Sequence, residues 1–342
     1  MAGPSVAVFG AAGFAGALAA RLLHEHPSFE LRTLTARSDV GRRLSDVYPH
    51  HRVPLVLEEL DLDRHGALDA AVVAYPHGAA ATLVHDLRTR GIKVVDLSAD
   101  FRLRDVAVYE EWYREHPVPS MIREAVYGLP ERYREQIAHA DLVANPGCYP
   151  TATLLALAPL ARAGLIEDVV IDAKSGVSGA GRAADERTHF VTVDENVSAY
   201  GVPRHRHTPE IEQELAALGA DVRVTFTPHL LPLDQGELVS CYVTVSDPAP
   251  DLASLYREAY EGEPFVELAD TPPGVRAVRE TNLCRISVHH DPRTGRVIVF
   301  AVIDNLWKGA ASQAVQNLNL MFGLPEDEGI GPVKSRAREV VS

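Results

Sequence analysis

Apolar and polar positions change rhythm along the chain, and the change divides it. "SVAVF" (5–9) is an unbroken apolar run, which predicts a buried strand, and "GAAGFAG" (10–16) is a turn. "ALAARLLHEH" (17–26) then has helical spacing. Further short apolar runs predict strands at "FELRTLTA" (29–36), "LDAAVVAY" (68–75), "IKVVDLS" (92–98) and "DLVAN" (141–145), with a helix from just after "PHG" (76–78) to about Arg90. Strands alternating with helices imply right-handed crossovers and a parallel sheet. "NPGCYPTATLLALAPLARAG" (145–164) is an apolar helix led by a Pro-Gly turn.

Beyond that helix the strands come closer together: "EDVVIDAKSG" (167–176), "VRVTFTP" (222–228), "GELVSCYVTV" (236–245), "CRISVHH" (284–290) and "RVIVFAVID" (296–304). "DPRTG" between the last two is a hairpin turn, so a mixed or antiparallel sheet is expected, with one broad face able to pack a partner subunit. "HRHTPEIEQEL" (205–215) predicts a helix capped by Thr208, with His205 and His207 in extended chain before it. "GAASQAVQNLNLMFG" (309–323) predicts a final helix stopped by Gly323.

At 342 residues the chain is expected to form two domains. Its net charge of −14 argues against nucleic acid and means that an anionic substrate needs a local cationic pocket. Three widely spaced cysteines make neither a disulfide framework nor a metal-binding pair, and no metal is expected. The opening residues lack a basic region and carry regularly spaced glycines, so they are read as a glycine loop and not as a signal peptide. No stretch approaches the ~20 apolar residues of a membrane span. Cytoplasm is the expected compartment.

Candidate chemistry starts at the glycines. Gly10, Gly13 and Gly16 lie between a strand and a helix, where a tight turn and free helix N–H groups suit a pyrophosphate. The spacing differs from GxGxxG, so strand–turn–helix context carries the argument. After the second strand, Arg37 and Ser38 stand where an NAD site places an acid, and Asp39 comes late. A guanidinium and a hydroxyl suit a 2′-phosphate, so NADP(H) is expected.

Cys148 sits in a polar turn at a strand's carboxyl end and a helix's start, where the helix dipole is expected to lower its pKa. Cys241 and Cys284, inside apolar strands, read as inert core thiols. A histidine of the His205/His207 pair can serve a thiol as acid–base partner, and Glu210 can orient a ring nitrogen. Most of the other histidines read as surface residues. Arg102, Arg104, Lys174, Arg182 and Lys308 are cations that can line an anion pocket, and the glycine-rich loop 175–182 can offer amides to a phosphate. A thiol together with a nicotinamide cofactor suggests hydride exchange with a thioester or thiohemiacetal.

These motifs run over nearly the whole chain: "GAAGFAG", "YPHG" (75–78), "DLSADFRL" (96–103), "YGLPE" (127–131), "VANPGCYPTA" (143–152), "AKSGVSGAGR" (173–182), "HRHTPEI" (205–211) and "DNLWKGAASQAVQN" (304–317). Through them the sequence resembles the N-acetyl-γ-glutamyl-phosphate reductases, arginine-biosynthesis relatives of aspartate-semialdehyde dehydrogenase. Gly147 before the thiol and Tyr149-Pro150 after it separate it from the aspartate-semialdehyde enzymes, which carry Asn and Ser/Thr there. Tyr75 departs from the smaller apolar residue expected at that position.

The resemblance implies an α/β chain. A Rossmann-type NADP-binding domain (1–147 plus 306–342) would be interrupted by an α+β catalytic and oligomerisation domain (148–305), with the C-terminal helix returning to the first. It implies that Cys148 forms an acyl-thioester and expels phosphate, that NADPH reduces the thioester, and that the product is N-acetylglutamate 5-semialdehyde. It makes His207 the acid–base group, with His205 beside it and Glu210 in support, though which histidine moves the proton stays open. Gly10, Gly13, Phe14, Gly16, Arg37 and Ser38, with Ser178, Gly179 and Asn305, would hold the cofactor. Arg102 and Lys174 would meet the substrate's anionic groups. A homodimer or homotetramer follows from the same resemblance. The alternatives are an aminoadipyl-phosphate reductase of lysine biosynthesis, one methylene apart, and a non-catalytic NADP-binding regulator.

Overall fold

A computed structural model describes residues 3–64, 67–246 and 251–331; the stretch 332–342 of the expected first domain lies outside the described residues. Two seven-stranded sheets organise the chain. The first is built from β1 (Ser5–Phe9), β2 (Glu30–Thr35), β3 (Leu57–Glu58), β4 (Ala70–Val73), β5 (Lys93–Asp96), β6 (Val126–Tyr127) and β7 (Leu142–Ala144), in the order β3-β2-β1-β4-β5-β7-β6. Every pairing in it is parallel. Its central strands are buried throughout, because helices cover both faces, and this is why they read as unbroken apolar runs. Strand order turns around at β1, which opens a crevice at the strands' carboxyl ends.

The second sheet contains β8 (Ile166–Gly176), β9 (Ser198–Ala199), β10 (Val224–Leu231), β11 (Glu237–Val245), β12 (Val266–Leu268), β13 (Cys284–Asp291) and β14 (Arg296–Ile303). Their order is β12-β13-β14-β11-β8-β10-β9. It is mixed: β8 runs parallel to β10 and antiparallel to β11, and the β13–β14 hairpin is antiparallel. The short strands β3, β6, β9 and β12 carry two or three residues each, too few for a periodicity to register.

The Cys148–Arg162 helix is buried on all sides from Tyr149 to Ala161 and shares a core with Val239, Cys241, Val243, Val299 and Ala301 of the second sheet. The C-terminal helix, Ser312–Met321, is preceded by a π-helical turn, Trp307–Ala311. It packs Ala314, Val315 and Leu318 into the core of the first sheet with Ala17, Leu18 and Val143. The chain thus closes back on its first unit, as the α/β reading expects. Residues 189–199 form an exposed segment, on which Phe190 and Val191 are 74% and 78% exposed.

Two local expectations fail. Thr208 does not cap its helix: it is the first helical residue, its hydroxyl is buried without a partner, and His207 occupies the cap position. His207 is accordingly helical (φ −82, ψ −12) and not extended, so its ring is set by the helix start.

Candidate active site

The strand β7 ends at Ala144, and after a three-residue link the chain enters the Cys148–Arg162 helix. That short link brings Cys148 to the carboxyl edge of the parallel sheet. Gly147 is the cap residue, in extended conformation with no side chain to cap with. Its N–H donates to Glu210 Oε1 at 2.9 Å, and its carbonyl accepts from the Thr151 hydroxyl at 2.9 Å. A β-carbon at Gly147 would collide with the imidazole of His207, the nearest atom being Nε2. Glycine is therefore what lets the histidine close on the thiol-bearing turn.

His205 and His207 form an aromatic cluster with Tyr149. Ring centroids lie 4.9 Å apart between the histidines and 5.8 and 5.9 Å from Tyr149. His205 Nδ1 accepts the backbone N–H of His207 at 3.2 Å, so His205 shapes the turn that carries His207. Burial lowers His205 to about 4, helped by Arg206. Burial, then His205, Arg102, His77 and Arg206, drive His207 well below its ordinary value. Both rings are neutral at pH 7, so His207 has one nitrogen to donate and one to accept. Its Nδ1 has no partner.

Glu210 does not orient either ring. Its carboxylate takes the Gly147 N–H, the Tyr127 hydroxyl at 2.8 Å, and Arg102 Nη1 at 3.4 Å. Burial pushes it above the usual carboxyl range, against the pull of those donors. Glu210 is thus a buried clamp on the turn before the thiol. Arg102 is likewise engaged inside the protein and departs from the expected substrate role. It is 5% exposed, and its guanidinium also donates to the carbonyls of Asn145 and Leu97, at 2.7 Å each. Lys174 departs too, because it pairs with Asp172 on its own strand at 2.5 Å.

Arg206 is different. Its guanidinium lies over the Tyr113 ring at 5.7 Å and bears electrostatically on His77, His205 and His207. It is exposed, and among the described residues no carboxylate pairs with it. It stands between His205 and His207 in the sequence, where nothing local marks it as functional.

The thiol is not lowered as the helix-start argument expects. Burial first, then the Glu237 carboxylate, push Cys148 well above its ordinary value, and only the Tyr149 amide and Arg102 pull the other way. Glu237, also missed, is fully buried on β11, and burial raises it to about 8. An acid inside "GELVSCYVTV" on the same alternation as Val239, Cys241 and Val243 was the available signal.

The other motif residues build scaffold. Asp100 accepts three backbone amides, from Gly78, Ala80 and Ala81, and the Tyr109 hydroxyl, tying "PHG" and "DLSADFRL" together. His77 Nδ1 accepts the Ala99 amide at 2.9 Å, and burial takes that ring to about 3.

At the nucleotide end, Gly10 has φ +93, and a β-carbon on it would stand 2.6 Å from the Ala74 carbonyl oxygen. Gly13 precedes the Phe14–His24 helix with no side-chain cap, leaving that helix's first amides for an anion. Gly16 sits against the Gly10 carbonyl, and Phe14 leans edge-on to Tyr48. Arg37 and Ser38 are exposed just past β2, Arg37 lying over the Tyr75 ring at 4.9 Å. Tyr75, unexpected in the sequence, is thereby a platform for that arginine. Asp39 is held by Arg42 at 2.8 Å and Arg182 at 2.6 Å, so the late acid is not free for a ribose. These features fit a 2′-phosphorylated dinucleotide.

Ser178 and Asn305 bond to each other at 3.0 Å. Ser178 also donates to the Asp234 carbonyl, and Asn305 accepts the Gly236 amide at 2.8 Å. Their side chains join two loops, and Gly179 lies beside Ser175 and Asn305. In this geometry the two side chains are engaged with each other and with the neighbouring loop backbone. The three cysteines are free, and among the described residues no cluster of three metal-ligating side chains occurs. No helix among them is long and apolar enough to cross a membrane.

Comparison with known proteins gives a consistent result. Residues 5–140 match the model "Semialdehyde dehydrogenase, NAD binding domain", and residues 148–305 match "Semialdehyde dehydrogenase, dimerisation domain". The N-acetyl-gamma-glutamyl-phosphate reductase of Desulforudis audaxviator is 52% identical over 95% of this chain and 97% of its own. That of Pelotomaculum thermopropionicum is 49% identical over 96% and 98%. Among solved structures, aspartate semialdehyde dehydrogenase II of Vibrio cholerae superposes with a TM-score of 0.72 at 21% identity, over 94% of this chain and 98% of that one. The Candida albicans aspartate semialdehyde dehydrogenase superposes at 0.66 and 15% identity, over 94% and 98%. Those two establish the fold alone. With two semialdehyde dehydrogenase domains and half its residues identical to such relatives over nearly its full length, the chain belongs to the N-acetyl-gamma-glutamyl-phosphate reductase family.

Proposed function

We infer that this protein is the NADPH-dependent oxidoreductase of arginine biosynthesis that converts N-acetyl-gamma-glutamyl phosphate to N-acetylglutamate 5-semialdehyde. The observation that carries the reading is Cys148 at a helix start on the carboxyl edge of the parallel sheet, with His207 closed on the preceding glycine.

Cys148 Sγ attacks the acyl carbon, the bond from that carbon to the phosphate oxygen breaks, and an acyl-thioester remains on the enzyme. The reduced nicotinamide, when bound, supplies the hydride that makes the thioester an aldehyde. His207, neutral and close to the turn, holds the proton that the carbonyl oxygen takes up as it becomes a hydroxyl, and receives it back when the carbon–sulfur bond breaks. Arg206 takes an anionic group of the substrate, carboxylate or phosphate. Gly10, Gly13, Phe14 and Gly16 receive the pyrophosphate, and Arg37 and Ser38 the 2′-phosphate. We place the domain division at 147/148 and 305/306, the enzyme in the cytoplasm, and the working form as a homo-oligomer. The exposed Phe190 and Val191, within the dimerisation-domain match, support that last point.

The test is phosphate-dependent NADP reduction with N-acetylglutamate semialdehyde, wild type beside Cys148→Ala, with N-acetylaminoadipate semialdehyde and aspartate semialdehyde as rivals. Turnover that needs phosphate and Cys148 and favours the acetylglutamate compound upholds the reading. Preference for the longer chain moves the enzyme to lysine synthesis. Silence with all three from protein that still binds NADPH leaves a regulator.

A further inference from the structure

We propose that Glu237 is the base that takes the proton of Cys148, so that the nucleophile of this enzyme is a cysteine–glutamate dyad. The proposal rests on the reductase reading and gives it a catalytic residue that the reading does not use.

Alternate residues of β11 face the Cys148–Arg162 helix. Val239, Cys241 and Val243 are such residues, and all three belong to the core they share with that helix. Glu237 opens the same row, at the end of the strand where the helix begins. Its neighbours across the sheet are Ile303 on β14 and Ser175 on β8, so it lies in an interior strand, with no edge to reach water. It is 0% exposed, and neither carboxylate oxygen has a hydrogen-bond partner among the described residues. Burying an unpaired carboxylate is costly, and a fold does not need one there for stability. Ile303, paired with Glu237 across the sheet, and Cys148 meet at Gly309, which sets the carboxyl on the thiol's side of the strand, and the thiol bears on it electrostatically. Across the thiol the backbone of Gly309 closes in: a β-carbon there would be 2.8 Å from that of Cys148. The pair is thus boxed between β11, the helix start and the π-helical turn.

Surrounding charges match this assignment. Asp304 is the charged group bearing on Glu237, and Tyr149, Tyr200 and Cys284 also feel it. Arg102 bears on the thiol. Among the described residues no lysine or arginine forms an ion pair with Glu237. Two anions cannot be held side by side in such a place, but one can, and it is favoured by the helix start. Moving the proton from sulfur to carboxylate keeps the pair's charge at −1 while it creates the thiolate. Burial lifts Glu237 to about 8 and lifts the thiol further, so both groups titrate above the ordinary carboxyl range as a coupled pair.

The step balances within the established chemistry. The sulfur–hydrogen bond breaks, its electron pair forms the bond from sulfur to the acyl carbon, and the proton moves to a Glu237 oxygen. The carbon–oxygen bond to phosphate breaks with its electrons on oxygen. The proton then leaves with that oxygen as hydrogen phosphate, Glu237 is a carboxylate again, and the one proton that the overall reduction consumes enters from solvent to restore the thiol when the carbon–sulfur bond later breaks. His207 remains for the carbonyl oxygen during reduction.

The test compares wild type, Glu237→Gln and Glu237→Asp. Iodoacetamide alkylation of Cys148 is followed by peptide mass between about pH 6 and 10, a window spanning the ordinary thiol value. A dyad gives a two-step rise in the wild type and a single step in Glu237→Gln. Turnover should fall by about a hundredfold or more in Glu237→Gln, the usual worth of a general base, with Glu237→Asp between the two. Superimposable single-step alkylation curves, with turnover of Glu237→Gln within about threefold of wild type, overturn the proposal. If the wild type turns over none of the semialdehydes, the reductase reading fails, and the alkylation curves still decide the dyad. Glu237→Asp keeps the question answerable if the glutamine variant does not fold.

Discussion

The imidazole of His207 occupies the space that a β-carbon on Gly147 would need. The backbone at Gly147 (φ −67, ψ 155) suits any residue, so the constraint is contact and not conformation. Gly147→Ala should therefore fold and bind NADPH while pushing the ring away from the thiol. A displacement on the order of 1 Å in a catalytic group costs about a hundredfold in rate. The expected outcome is a drop of that size in kcat, with a thermal midpoint near that of wild type.

Arg37 is exposed and lies over Tyr75, while Asp39 is held by two arginines. Arg37→Ala should raise KM for NADPH by about tenfold, one lost charge-assisted contact, and leave the NADH value nearly unchanged. Equal effects on both cofactors would remove Arg37 from 2′-phosphate recognition.

Glu210 and Arg102 are buried together, 1% and 5% exposed. Glu210→Gln preserves an acceptor for the Gly147 N–H but leaves the guanidinium without its counter-charge. Removing one partner of a buried pair costs about 3–5 kcal/mol. Urea unfolding should show a loss near the lower bound, since the Asn145 and Leu97 carbonyls still hold Arg102. A midpoint equal to wild type would show the pair to be incidental.

Acid should destabilise the protein early. His51 and His205 are lowered by burial to about 4, and His77 to about 3. In the unfolded chain each takes a proton near 6.5, so between that pH and about 4 the unfolded state holds more protons. Stability therefore rises with pH in this window and is lost as pH falls through it. Each histidine contributes a slope of up to about 1.4 kcal/mol per pH unit. Urea melts at three pH values from neutral to about 5 read this directly. A flat profile would mean that the rings are solvated.

The order of strands and helices could be read from the sequence because buried parallel strands and an all-round buried helix leave unbroken apolar runs. The same holds for the glycine loop, the thiol at a helix start and the histidine pair, which are contiguous motifs. Arg102, Lys174, Ser178 and Asn305 show what such reading cannot see. A basic or polar residue in a glycine-rich neighbourhood looks available, and only the fold reveals that Asn145, Asp172 and Asp234 engage three of them and that Ser178 and Asn305 engage each other.

The sequence by itself determined the two-part α/β organisation and marked the candidate thiol and the candidate glycine loop, because each is written in neighbouring residues whose backbone chemistry is local. Tertiary structure alone decided that Glu210 clamps the turn and orients no imidazole, that Arg206 stands beside the histidines with no carboxylate partner among the described residues, and that Glu237 is buried on the row of β11 that packs against the Cys148–Arg162 helix. Those facts join positions far apart in the chain, Arg102 and Glu210 among them at 108 residues, and a group's protonation is set by what surrounds it in space. The helix start by itself argues for a lowered thiol; burial and a carboxylate delivered by another strand reverse the sign.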